Sequence, residues 1–174
     1  MMKLLLKNKK IINIDNTVIK VWGEDFYAKL IYKNIKIIEI NIKLNNIEIN
    51  IPNKYKKINS KKLLEIVTRR IYDMIAEIEI ESIMEKTRIM LKGLAPEDYK
   101  IERLSNGKLA SFDAISRVIT VNPDIVKYKK EILEYTVLYE FCYLKYQRKV
   151  KGFRDMLRTN MPEYQNYEFV NTCI

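Results

Sequence analysis

The chain has 174 residues, 48% of them hydrophobic and 31% charged, with a net charge of +10 and no histidine at all. That length holds one domain, with or without a small lobe, and is enough to bury a real core. The missing histidine excludes Ser-His and Cys-His nucleophile pairs, four glycines include no phosphate-binding loop, and no apolar run is long enough to span a bilayer. Leu4-Leu5-Leu6 is too short for the core of a signal peptide, so a cytoplasmic protein without membrane attachment is expected.

From Ile11 to Ile51 the pattern is that of strands. Ile12 and Ile14, then Ile38, Ile40 and Ile42, then Ile47, Ile49 and Ile51 alternate with polar residues, which places one face of each strand on a core. Trp22-Gly23 falls at a turn, Asn45-Asn46 is a tight turn because Asn tolerates positive φ, and Pro52 closes the segment. An antiparallel meander over residues 1–58 is predicted.

Ser60 is an N-cap candidate for a long helix. Leu63, Leu64, Val67, Ile71, Met74, Ile75 and Ile78 form one apolar stripe, which continues through Ile83, Met84 and Met90 to a stop at Gly93, with a break near Ile80. Beyond a connector from Pro96, a strand reaches toward Leu104. Ser105-Asn106-Gly107-Lys108 is a turn that folds the next strand back on it, and Val118–Val121 is a further strand closed by Asn122-Pro123. A mostly buried helix spans Ile132 to Tyr146, and after Gly152 a last helix runs to about Asn160, ahead of Pro162. The fold class predicted is α+β, one domain over 1–174 with a strand lobe (1–58) and a helical lobe (59–174).

The motif that points to a chemistry lies on the buried helix. Tyr139 and Tyr143 share a face and Glu140 sits about 100° round from Tyr139, which is the layout of the zinc-protease His-Glu-x-x-His signature with a tyrosine at each histidine position. Tyr139-Glu140-Phe141-Cys142-Tyr143-Leu144-Lys145, followed by Lys149, Phe153 and Met161-Pro162-Glu163-Tyr164, resembles the end of the YgjP-like metal-dependent hydrolases, relatives of the SprT and WLM metallopeptidase-like proteins. Ile119-Thr120-Val121-Asn122-Pro123 resembles the family strand before that helix, and Leu109-Ala110-Ser111-Phe112-Asp113 takes the place of its Trp-Gly-Ser-Cys-Ser element.

The resemblance implies a zincin-like fold with zinc. It puts the three metal positions at Tyr139, Tyr143 and Lys149 and the general base at Glu140. Phenols are poor zinc donors at neutral pH and an ammonium has no free lone pair, so no metal is expected here and Glu140 becomes a vestigial base. In one arrangement Lys149 replaces the cation and pairs with Glu140; in the other it points to solvent and the tyrosines simply pack.

Three functional readings remain open: a degenerate, catalytically inactive scaffold or interaction protein, a metal-dependent hydrolase that uses Glu140 with Asp113 or Asp124, and a basic nucleic-acid-binding module. The candidate basic patch is Lys145, Arg148, Lys149, Lys151, Arg154 and Arg158, with nucleic acid or an acidic partner as its ligand. Against it stands the spread of lysines from Lys3 to Lys151, the mark of a lysine-rich solvated surface. Cys142 is expected to be a buried small hydrophobe and Cys173 a free thiol, with no disulfide.

Overall fold

The computed structural model describes residues 11–12, 17–146 and 150–171. Its chain divides into two compact units, Met1–Thr68 and Arg69–Ile174. Among the described residues no helix is long and apolar enough to cross a membrane.

The first unit is a sheet of five strands: β1 (Ile11–Ile12), β2 (Val18–Val21), β3 (Glu24–Lys33), β4 (Glu39–Lys43) and β5 (Asn46–Pro52). Trp22 and Gly23, both at positive φ (53° and 81°), form the two-residue turn that pairs Val21 with Glu24. That backbone twist matches the twist of the flanking strands, and Gly23 adopts it without a Cβ penalty. β4 and β5 make a second two-residue hairpin, Lys43 opposite Asn46, so the turn falls on Leu44-Asn45, one residue before the expected Asn45-Asn46.

The predicted meander is corrected at one ladder. β5 lies between β3 and β4 and runs parallel to β3, which makes the sheet mixed. The physical reason is burial: Ile47, Ile49 and Ile51 are each 0% exposed and Asn50 only 2%, so this strand needs neighbours along both edges.

Helix α1 (Ser60–Met90) is unbroken, so the break expected near Ile80 is absent. Its cap is Asn59, whose Oδ1 accepts from the Lys61 and Lys62 amides at 2.9 and 3.3 Å, one residue before the predicted Ser60. The helix stops as predicted at Gly93 (φ 87°), whose amide donates to Arg88 O at 2.9 Å. Met74 and Ile78, which one straight stripe would bury, are exposed; in this part of the helix the buried set is Ile71, Tyr72, Ala76, Ile80, Ile83, Met84 and Thr87.

In the second unit β6 (Asp98–Ile101), β7 (Ala110–Asp113) and β8 (Val118–Val121) form a three-stranded sheet in the order β6-β8-β7. The residues 105–107 make a short 3₁₀ turn, but β7 does not fold back on β6 as expected. β8 takes the centre, parallel to β6 and antiparallel to β7, and its Ile119 and Val121 are fully buried. The hairpin joins β7 to β8 instead. Asp113 Oδ1 accepts from the Ile115 and Ser116 amides, both at 2.8 Å, and these bonds hold its carboxyl below the usual range.

Two helices complete the unit, α2 (Lys130–Tyr143) and α3 (Lys151–Asn160), followed by a 3₁₀ segment, Tyr164–Asn171, that periodicity did not reveal. The α+β class stands. The mostly buried helix is α2, closing three residues before the expected Tyr146.

Candidate functional site

The end of β8 sets the entry to α2. Asn122 donates from Nδ2 to Lys108 O at 2.9 Å and accepts at Oδ1 from the Asp124 amide at 3.0 Å, which fixes the turn Pro123–Lys127 ahead of the helix. Along α2, nine residues from Ile132 to Cys142 are buried, so the helix lies in the core nearly all round.

Tyr135, Tyr139 and Tyr143, spaced four apart, stack up one face of α2 with ring centroids 5.7 and 5.6 Å apart. Phe153, from the first turns of α3, meets Tyr139 at 5.0 Å and Tyr143 at 5.3 Å, both edge to face. Tyr139, Tyr143 and Phe153 thus form a closed triangle. It is extended by Phe112 of β7, stacked 6.4 Å from Tyr143, and by Tyr167, 5.9 Å from Tyr135. The rings pack with Leu138, Cys142, Leu157, Met161 and Tyr164 into one apolar cluster that joins α2 to α3.

Glu140 faces away from solvent, 4% exposed, beside this cluster. Burial pushes the neighbouring Cys142 thiol up to about 12, and the Glu140 charge adds to the effect. At neutral pH that sulfur is an uncharged thiol and so a poor nucleophile.

The other predicted residues are distributed as follows. Lys149 and Arg148 lie outside the described residues, as does Cys173, so the Lys149–Glu140 pairing has no structural description. Lys145, Lys151, Arg154 and Arg158 are exposed; Lys151, Arg154 and Arg158, three and four apart, line one face of α3, and the Lys145 ammonium lies 5.3 Å from the centre of the Tyr146 ring. Asp113 is committed to its own turn. Asp124 is held by Lys127 at 2.6 Å and by Arg103 at 3.4 Å, and Arg103 also reaches Asp73 at 2.8 Å.

A zinc centre of the kind the resemblance implies does not fit these residues. The chain has no histidine, and among the described residues no group of three or more Cys, Asp or Glu is placed to hold a metal ion. At the positions the resemblance assigns to ligands, Tyr139 and Tyr143 offer only phenol oxygens, poor zinc donors at neutral pH, and their rings pack on each other and on Phe153.

Sequence reading missed Tyr135, Phe112 as a ring partner, and Tyr167. Tyr135 carried a signal, being four residues before Tyr139 on the same helix face. Phe112 and Tyr167 carried none, because their contacts depend on how distant segments meet.

No curated protein matches the chain. Among solved structures it is similar to the metallopeptidase zymogen jannalysin of Methanocaldococcus jannaschii, with 21% identity and a TM-score of 0.44 over 55% of this chain and 97% of that one. A family model described as YgjP-like, metallopeptidase domain, matches residues 4–169. The chain belongs to the YgjP-like family of metallopeptidase-domain proteins.

Proposed function

We propose that this protein is a catalytically inactive member of its family, a scaffold or interaction protein in which aromatic packing replaces the metal centre. The observation that carries the reading is the Tyr139–Tyr143–Phe153 triangle, which engages both helix positions that the motif assigns to ligands. A metal in such a site would lower the pKa of bound water and polarise a carbonyl. Without it Glu140 has no activated water from which to take a proton, and burial keeps bulk water away from its carboxylate.

A metal would also cross-link the helix to the chain beyond it. The rings perform that structural task, since edge-to-face pairs add about 0.5–1.5 kcal/mol each beyond the area they bury. The test is hydrolysis of casein and of mixed fluorogenic peptides by the full chain, with and without added zinc, beside Glu140→Gln. The proposal expects both proteins to give the same background. Hydrolysis lost in Glu140→Gln would contradict it.

A second reading rests on the face of α3 that carries Lys151, Arg154 and Arg158: an interaction with nucleic acid through that stripe. It requires binding to duplex or single-stranded probes that weakens steeply with salt. Absence of binding at low salt would dismiss it.

A further inference from the structure

β4 ends the sheet of the first unit, and among the described residues no strand pairs with its outer edge. Such an edge presents backbone N–H and C=O groups to any strand that can approach. The five residues are Glu39-Ile40-Asn41-Ile42-Lys43. All but the half-buried Ile40 are exposed, with Ile42 at 48%, and Leu44 in the adjoining turn is 90% exposed.

We propose that β4 is a self-association edge that pairs antiparallel with β4 of a second copy of this chain, about a two-fold axis at Asn41. The strand is its own complement. Turned end for end, Glu39 comes opposite Lys43, Ile40 opposite Ile42, and Asn41 opposite Asn41. Directly opposed residues of an antiparallel pair project from the same face, so two Glu–Lys pairs and the Asn pair share one face of the joined sheet.

The two Ile–Ile pairs share the other face. It is the face of Ile47 and Ile49, which stand opposite Ile42 and Ile40 within the unit. Association would therefore lengthen the isoleucine rows of that face at its exposed edge, where Ile42 is 48% exposed. A slip of one residue sets a charged residue against isoleucine, and a slip of two breaks both Glu–Lys pairs, so the charges also fix the register. A lone lysine on an edge strand repels a second copy. Here each lysine meets a carboxylate, and the two-fold axis doubles the Glu–Lys and Ile–Ile pairs.

Five residues from each copy make an interface at the small end of the range, so dimerisation is weak, with a dissociation constant on the order of 100 µM. Sedimentation velocity of the full chain from about 5 to about 500 µM should show a monomer–dimer equilibrium in that range. Lys43→Glu, which sets Glu opposite Glu twice, should weaken it about tenfold, and adding Glu39→Lys should restore it.

Glu39 also accepts from Asn50 Nδ2 at 3.3 Å, so thermal melts by circular dichroism accompany these variants. A second measurement leaves both charges in place. Asn41→Cys in a Cys173→Ser background sets two thiols across the axis, where opposed Cα atoms about 4.5–5.5 Å apart suit a disulfide. Mild oxidation should give a covalent dimer, and Ile115→Cys, at a site 97% exposed on another turn, should not. The proposal is overturned by a chain that stays monomeric throughout, by a dimer insensitive to Lys43→Glu, or by Asn41→Cys cross-linking no more than the Ile115→Cys control.

Discussion

Phe153 is the residue on which the aromatic triangle turns, because it alone among the three comes from α3 while the other two stand on α2. It is 3% exposed and meets both tyrosines, so its removal opens a cavity between the helices. Phe153→Ala should cost about 3–5 kcal/mol in chemical denaturation, and Phe153→Leu clearly less. A loss below about 1 kcal/mol would mean the rings do not hold the two helices together.

Cys142 sets a second residue-scale expectation. Its thiol is raised from 9.0 to about 12 in the fold, and the buried Tyr72 hydroxyl is also raised to about 12, by burial first and by Asp124 second. A pKa raised on folding favours the protonated form, so this stability is fully present below the unfolded values near 9 and 10 and is lost as pH rises toward 12. Melting temperature should therefore fall steeply above about pH 9, and Cys142→Ala should make that fall shallower. An unchanged slope would contradict the assignment.

Among the elements, α1 is set by its ends. Asn59→Ala removes the acceptor for two amides and should cost about 1 kcal/mol, and Gly93→Ala, at φ 87°, should cost about as much through backbone strain. Urea denaturation measures both. The two sheets share one plan: in each, the last strand in sequence inserts between two earlier ones, parallel to one (β3 or β6) and antiparallel to its hairpin partner (β4 or β7).

This plan was illegible in the sequence, and the reason is general. Alternation in Ile47-Glu48-Ile49-Asn50-Ile51 marks a strand with a buried face, but pairing order depends on which strand is buried along both edges. Only Asn50, a polar residue at 2% exposure, betrays the central position, and only in the folded chain. Local features were legible: the Trp22-Gly23 turn, the stop at Gly93, and the closing helix α3 at Lys151–Asn160. The site was legible in part, since Tyr139, Glu140 and Tyr143 lie within one helical turn, whereas Phe112 and Tyr167 reach the same cluster from segments far apart in sequence.

On the scale of the whole molecule, a metallopeptidase-family chain carries no histidine and, where ligands are expected, a packed set of rings. If the rings have replaced the metal as the link between α2 and the chain beyond it, the fold owes nothing to a bound ion. The most direct test is elemental analysis of the full chain purified without chelator, joined to melting curves with EDTA or with added zinc. The account predicts zinc and other transition metals far below one ion per chain and a melting temperature that neither addition moves. One equivalent of metal, with a melting temperature that drops in EDTA and recovers with zinc, would contradict it.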